Sequence, residues 1–178
     1  MSDMSSTQPD MTQQVPIADT VVRYRRIVTG NAADGKSVIL SDEICQNIKA
    51  IMGVGTFATT ELWKVDETPV NFTKEADDPA AESVSVAPPL NGNVFRIVEY
   101  PPDREWQKSA SFDVMTHATP SIDYAFVIEG EIYAIVDKGE TLMKSGDVLI
   151  QRGTSHAWSN RSDKPCRVLF AMIGAIGS

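Results

Sequence analysis

Two histidines, His117 and His156, are the only imidazoles in this 178-residue chain, and each is flanked by other chemically capable side chains. The first segment runs His117-Ala118-Thr119-Pro120-Ser121-Ile122-Asp123-Tyr124, continues as Ala125-Phe126-Val127-Ile128 and turns at Glu129-Gly130. The second runs from Gly146-Asp147 through Val148-Leu149-Ile150, Gln151-Arg152 and Gly153-Thr154-Ser155 to His156, closing with Ala157-Trp158-Ser159-Asn160. Imidazole and carboxylate together do two kinds of chemistry. They ligate a borderline divalent cation, or they move protons near neutral pH. His117, Asp123 and His156 are therefore the candidate metal-ligating and catalytic residues.

The elements that must position them read as strands. Val21 to Val28, Ser37 to Ser41, Phe57 to Val65, Val94 to Tyr100, Ile132 to Val136, Thr141 to Lys144, Val148 to Ile150 and Arg167 to Ile173 are rich in β-branched and aromatic residues. Turn residues separate them, among them Asn31 to Gly35, Asp137 to Glu140, Ser145 to Asp147 and the polar loop Arg161 to Pro165. The first pair predicts a hairpin. Short strands at regular spacing with little helical periodicity predict an all-β sandwich or barrel. Ile44, Ile48 and Ile51 fit one face of a short helix over residues 43 to 52, the alternative being an irregular loop. Asn71 to Pro89 reads as a long surface loop, with Asp77-Asp78 as solvated charge. Residues 1 to 19 are Ser/Thr/Gln/Asp/Pro-rich and read as a disordered tail before one domain spanning 20 to 178.

Bulk properties narrow the partners. A formal net charge of -8 with no basic stripe argues against nucleic acid. No apolar run approaches a bilayer span, and Met1 to Pro16 lacks the apolar core of a signal peptide. Cys45 and Cys166 are too few for a disulfide framework. A cytoplasmic protein acting on a small molecule is the expectation, with Cys166 a small buried apolar residue.

Over about residues 94 to 173 the two histidine segments resemble the paired motifs of the cupin superfamily, in its single-domain type-2 form. His117, Thr119, Asp123 and Gly130 stand at the places of the first motif, and Gly146, Asp147, Gly153, His156 and Asn160 at those of the second. Gln151 replaces the usual proline, and Thr119 stands where a second histidine is usual. The resemblance implies a double-stranded β-helix, or jelly roll, whose interior holds a divalent metal ion. The ligands would be His117, Asp123 and His156, a set suited to Fe, Mn, Ni or Zn with positions left open. A hydroxyl such as that of Thr119 ligates such an ion poorly unless deprotonated.

Around that centre, Arg96 either faces inward toward an anionic substrate or sits solvated on the outer face. Trp63, Tyr124 and Trp158 either line a substrate pocket or fill the barrel. The functional expectation is a dioxygenase or a lyase of decarboxylase type, acting on a small carbonyl- or carboxylate-bearing substrate. Metal-free acid–base dehydration or isomerisation is one alternative, and a non-catalytic module holding a small ligand or metal is another. The apolar amino-terminal strands, Val21 to Ser41, further predict a homodimer that hides its sheet edges.

Overall fold

The computed structural model describes residues 12–13, 15–72, 78–81, 84–107 and 112–176. Most of the expected tail (residues 1–11 and 14) and Asp77 lie outside the described residues. The strands are β1 (Thr12–Gln13), β2 (Arg25–Asn31), β3 (Ser37–Ile44), β4 (Ile48–Ile51), β5 (Val54–Val65) and β6 (Asn93–Tyr100). After helix α1 (Asp103–Trp106) come β7 (Ser121–Glu129), β8 (Glu131–Val136), β9 (Gly139–Lys144), β10 (Val148–Arg152), β11 (His156–Ser159) and β12 (Cys166–Gly174). They form a seven-stranded sheet in the order β1-β4-β5-β6-β12-β7-β10, a three-stranded sheet β11-β8-β9, and the separate hairpin β2-β3. This is the jelly-roll, double-stranded β-helix architecture, with added amino-terminal strands.

The core lies between the two larger sheets. Alternation decides which residues reach it: along β7 the buried positions are Ser121, Asp123, Ala125 and Val127, and along β12 they are Cys166, Val168, Phe170 and Met172. Phe57, Val98 and Tyr100 join from β5 and β6, and Ile132, Ala134, Met143, Ala157 and Trp158 from the opposing sheet. Each large apolar side chain so buried contributes roughly 1.5–3 kcal/mol. A one-residue slip of β12 would exchange Val168 and Phe170 for Arg167 and Leu169, so burial sets the register. That register places Phe170 opposite both Arg96 and Ala125, and Met172 opposite both Val94 and Asp123.

Gly130, which follows β7, has φ +86°, and a Cβ there would meet the Pro165 carbonyl oxygen at 2.8 Å. Only glycine takes that backbone without strain. Gly146 and Gly153 also adopt positive φ, in the turns on either side of β10.

Several expectations are corrected. Residues 43 to 52 hold neither a helix nor an irregular loop: β3 ends at Ile44, and β4 pairs with β5 through Ala50 and Ala58. The isoleucine spacing mimics a helix, but β-branched side chains packed on a sheet prevail. Met52 and Gly53, both at positive φ, make the two-residue turn between β4 and β5. Asp78 is not solvated charge, since it pairs with Arg26 at 2.6 Å and accepts from Asn47 at 3.0 Å. Within the expected tail, Thr12 and Gln13 lie opposite Ile51 and Ala50.

Candidate functional site

His156 opens β11 and His117 lies just before β7, and the main chain brings them together. The His117 N–H donates to the His156 carbonyl at 3.0 Å, and the His156 N–H donates back at 2.9 Å. Their ring centroids are 4.5 Å apart. Each ring is fixed by its own turn: Nδ1 of His117 lies 2.9 Å from the Met115 carbonyl, and Nδ1 of His156 lies 2.9 Å from the Thr154 carbonyl. A carbonyl only accepts, so Nδ1 carries the hydrogen in both rings and the neutral form keeps its lone pair on Nε2. Burial, opposed by the Thr154 carbonyl and reinforced by His117, holds the His156 pKa below the usual imidazole value.

Asp123 faces inward on β7, 3% exposed. Its Oδ1 accepts from the Ser121 hydroxyl at 2.6 Å, and the Ser121 oxygen lies 2.8 Å from that of Thr119. Ser121 has one hydrogen and gives it to Asp123, so Thr119 donates to Ser121. Burial raises the Asp123 pKa; the Ser121 hydrogen bond and the charges of His117 and Arg96 oppose it. The carboxyl is thus electrostatically connected to both a histidine and an arginine.

These donors suit a metal ion only in part. The two imidazoles fit, because a backbone-held Nδ1–H with a free Nε2 is the arrangement of a metal-ligating histidine. Asp123 does not complete the set: among the described residues, no three His, Cys, Asp or Glu side chains form a group placed to hold a metal ion. One of its carboxyl oxygens accepts from Ser121, one position along the same strand face. Thr119, the other expected position, is hydrogen-bonded into that series through Ser121.

Of the other expected site residues, two belong inside. Trp158, 3% exposed, stands edge-on to His156 with centroids 6.1 Å apart, and packs on Phe170 and Tyr100. Arg96, 7% exposed, shares the inward face of β6 with Val98 and Tyr100, so the solvated alternative is wrong. Tyr124 and Trp63 are corrected. Tyr124 follows inward Asp123 on a strand, which turns it to the outer face at 43% exposure. Trp63 sits opposite outward Phe95 after a register shift in β5, under the Arg26 guanidinium at 5.9 Å.

Sequence reading missed Glu61, Ser121, Gln151 and Asp103. Glu61 lies inside the barrel, next along the inward face after Phe57 and Thr59 and just before the register shift. Ser121 had a visible signal, being two residues from both Thr119 and Asp123. Gln151, at the place of the usual proline, is buried opposite Asp123, and its amide donates to Thr154 across the turn. Buried Asp103 accepts from the Ser159 hydroxyl at 2.6 Å and the Asn160 N–H at 2.9 Å, tying α1 to the end of β11. Motif residue Asn160 is structural too, donating to the Tyr100 and Lys164 carbonyls. The cleft beside α1, about 380 Å³, is lined by Asp103, Arg104 and Arg161 but by neither histidine. Its arginines are already paired, with Asp163 and Glu140.

Residues 103–172 match the cupin domain model. The cupin-domain-containing oxidoreductase virC of Hypocrea virens is 33% identical over 160 residues, covering 85% of this chain and 76% of that protein. This chain belongs to the cupin-domain family. The cupin also resembles the cupin-domain-containing oxidoreductase fogC of Aspergillus ruber, at 31% identity over 91% of this chain and 77% of the relative. Phomopsin biosynthesis cluster protein D of Diaporthe leptostromiformis is 34% identical to this cupin, over 84% of this chain and 78% of its own. No helix among the described residues is long and apolar enough to cross a membrane.

Proposed function

We propose that this cupin is a small-molecule enzyme, an oxidoreductase of dioxygenase type or else a lyase, with its chemistry centred on His117 and His156. The observation that carries the reading is the ring pair itself: two imidazoles 4.5 Å apart, each with Nδ1 engaged by a backbone carbonyl. The names of the relatives, oxidoreductases and a biosynthesis-cluster protein, favour a reaction on a small organic molecule over storage or sensing.

His117 and His156 would hold a divalent ion through Nε2, which when bound supplies Lewis acidity and open positions for oxygen ligands. The chain's own groups do the rest. Trp158 and Phe170 keep bulk water from His156, and the buried wall orients a substrate of mixed apolar and oxygenated character. Asp123, which burial favours in its protonated form, hydrogen-bonds or delivers a proton to a substrate oxygen.

One observation favours a second reading, metal-free dehydration or isomerisation. Asp123 is pushed toward keeping its proton while His156 is pushed toward losing one, which sets an acid and a base in one interior. Elemental analysis of the purified full chain beside His117→Ala and His156→Ala separates the two. About one divalent ion per chain, lost in both variants, is expected for the histidine centre. Metal retained in both would place it elsewhere and refute that centre, and a metal-free but active wild type would select the acid–base reading.

A further inference from the structure

The inward faces of β5 and β6 carry two opposite charges where apolar residues would fill the wall. Glu61 and Arg96 are directly opposed in the β5–β6 register, and both are nearly inaccessible to solvent. One amino group of Arg96 lies 3.2 Å from Glu61 Oε2 and donates to the Ser85 carbonyl at 2.8 Å. The other Glu61 oxygen accepts from the Thr59 hydroxyl at 2.7 Å. Glu61 is therefore satisfied, but Arg96 is not: its Nε–H is buried and has no acceptor among the described residues.

A barrel wall gains little from such a pair. Desolvating two charges offsets most of their attraction, and well-packed apolar residues of similar volume serve stability as well. An unmet buried donor adds a further penalty. The position of the guanidinium supplies a reason to keep it. Its charge reaches Asp123, which also feels His117, so arginine and histidine pair share one polar interior. Phe170, directly opposite Arg96 on β12, packs edge-on against Trp158, which abuts His156. A flat apolar body with an anionic end matches that order of groups.

We propose that Arg96, held in place by Glu61, is an oxyanion subsite of the barrel interior and takes the carboxylate of a small aromatic or similarly flat organic acid. The inference rests on the functional reading above and sharpens its substrate from carbonyl- or carboxylate-bearing to carboxylate-bearing. Glu61 acts as a positioning residue, because it touches Arg96 and not the ligand. A guanidinium with a spare N–H directs a charge-assisted hydrogen bond at a carboxylate oxygen, a contact that a neutral alcohol of the same shape cannot match.

The two-histidine composition makes the test simple, because the ring Cε1–H region of an NMR spectrum holds only two signals. The full chain is titrated with benzoate and, separately, with benzyl alcohol. Both histidine signals should move with benzoate, which should bind at least tenfold more tightly than the alcohol. Arg96→Met alone would strand the Glu61 charge, so the charge-balanced pair Arg96→Met with Glu61→Gln is used. It should weaken benzoate at least tenfold and leave the alcohol unchanged, whereas Glu61→Gln alone should retain the preference for benzoate. Histidine shifts with equal affinities for both probes, or with a benzoate affinity indifferent to Arg96→Met/Glu61→Gln, would overturn the subsite and leave ligand binding beside the histidines standing. No histidine shift with either probe would overturn the subsite and the functional reading together.

Discussion

His117 and His156 are joined through their main chains before their rings meet, each N–H donating to the other's carbonyl at 3.0 and 2.9 Å. The pairing of the imidazoles is therefore built into the approach of two segments. Neither ring depends on the other to hold it, since each Nδ1 is engaged by its own turn. This separates what positions the rings from what the rings do, and makes single-histidine variants informative.

His156 should titrate below the ordinary imidazole pKa of about 6.5, because burial disfavours its cation. The sign follows: a depressed folded pKa contributes stability above the unfolded value, which is lost as pH falls through the folded one. An NMR titration of the metal-free protein should show its ring signal midpoint shifted to lower pH. A midpoint at or above 6.5 would contradict the buried neutral ring.

Asp123 has the opposite sign. Its raised folded pKa contributes stability below the unfolded carboxyl value, and that contribution disappears as pH rises through the folded pKa. Asp123→Asn keeps an acceptor for Ser121 and abolishes the titration. Thermal melting of the metal-free protein should find Asp123→Asn gaining on wild type as pH rises from about 3.9, the ordinary Asp value, toward neutrality. A constant difference over that range would count against the buried acid.

Much of the fold was legible because period-two burial on β7 and β12 is written directly in alternating residues. The glycines and the Gly146-Asp147 turn of the two histidine segments were equally readable, since their backbone demands leave few residue choices. Orientation across β5 was not. The register shift between Glu61 and Trp63 puts the glutamate inside and the tryptophan outside, and nothing local in the sequence marks it. Asp123 was read onto its inward face, but its hydrogen bond from the Ser121 hydroxyl, two residues away on the same face, was not read. A nine-residue strand also assigned Tyr124 its outer face, which simple alternation from Asp123 could have shown.

Aromatic substitutions should divide by face. Tyr124→Ala, on the outer surface, should cost under about 1 kcal/mol and leave ligand binding intact. Trp158→Ala empties a site in the core and should cost ~3–5 kcal/mol, with Trp158→Phe retaining more stability. Chemical denaturation measures both. A larger loss for Tyr124→Ala than for Trp158→Ala would reverse the assigned faces.

The hairpin β2-β3 exposes Ile27, Ile39, Leu40 and Ile44 on a two-stranded sheet of its own. A hairpin is marginal without cover, which supports the proposal that a second copy pairs with it. Light scattering at micromolar concentration should give a dimer mass, and Ile39→Lys with Leu40→Lys should shift it toward monomer. A monomeric wild type would reject this association, and a lysine variant that stays dimeric would move the interface elsewhere.

The most direct test of the histidine centre is paramagnetic. Mn²⁺ is added in steps to the metal-free full chain while the two histidine ring signals are followed. The account predicts that both broaden together, at the same metal ratio and below one equivalent, because both Nε2 atoms serve one ion. Broadening of one histidine alone, or of neither until metal is in large excess, would contradict it.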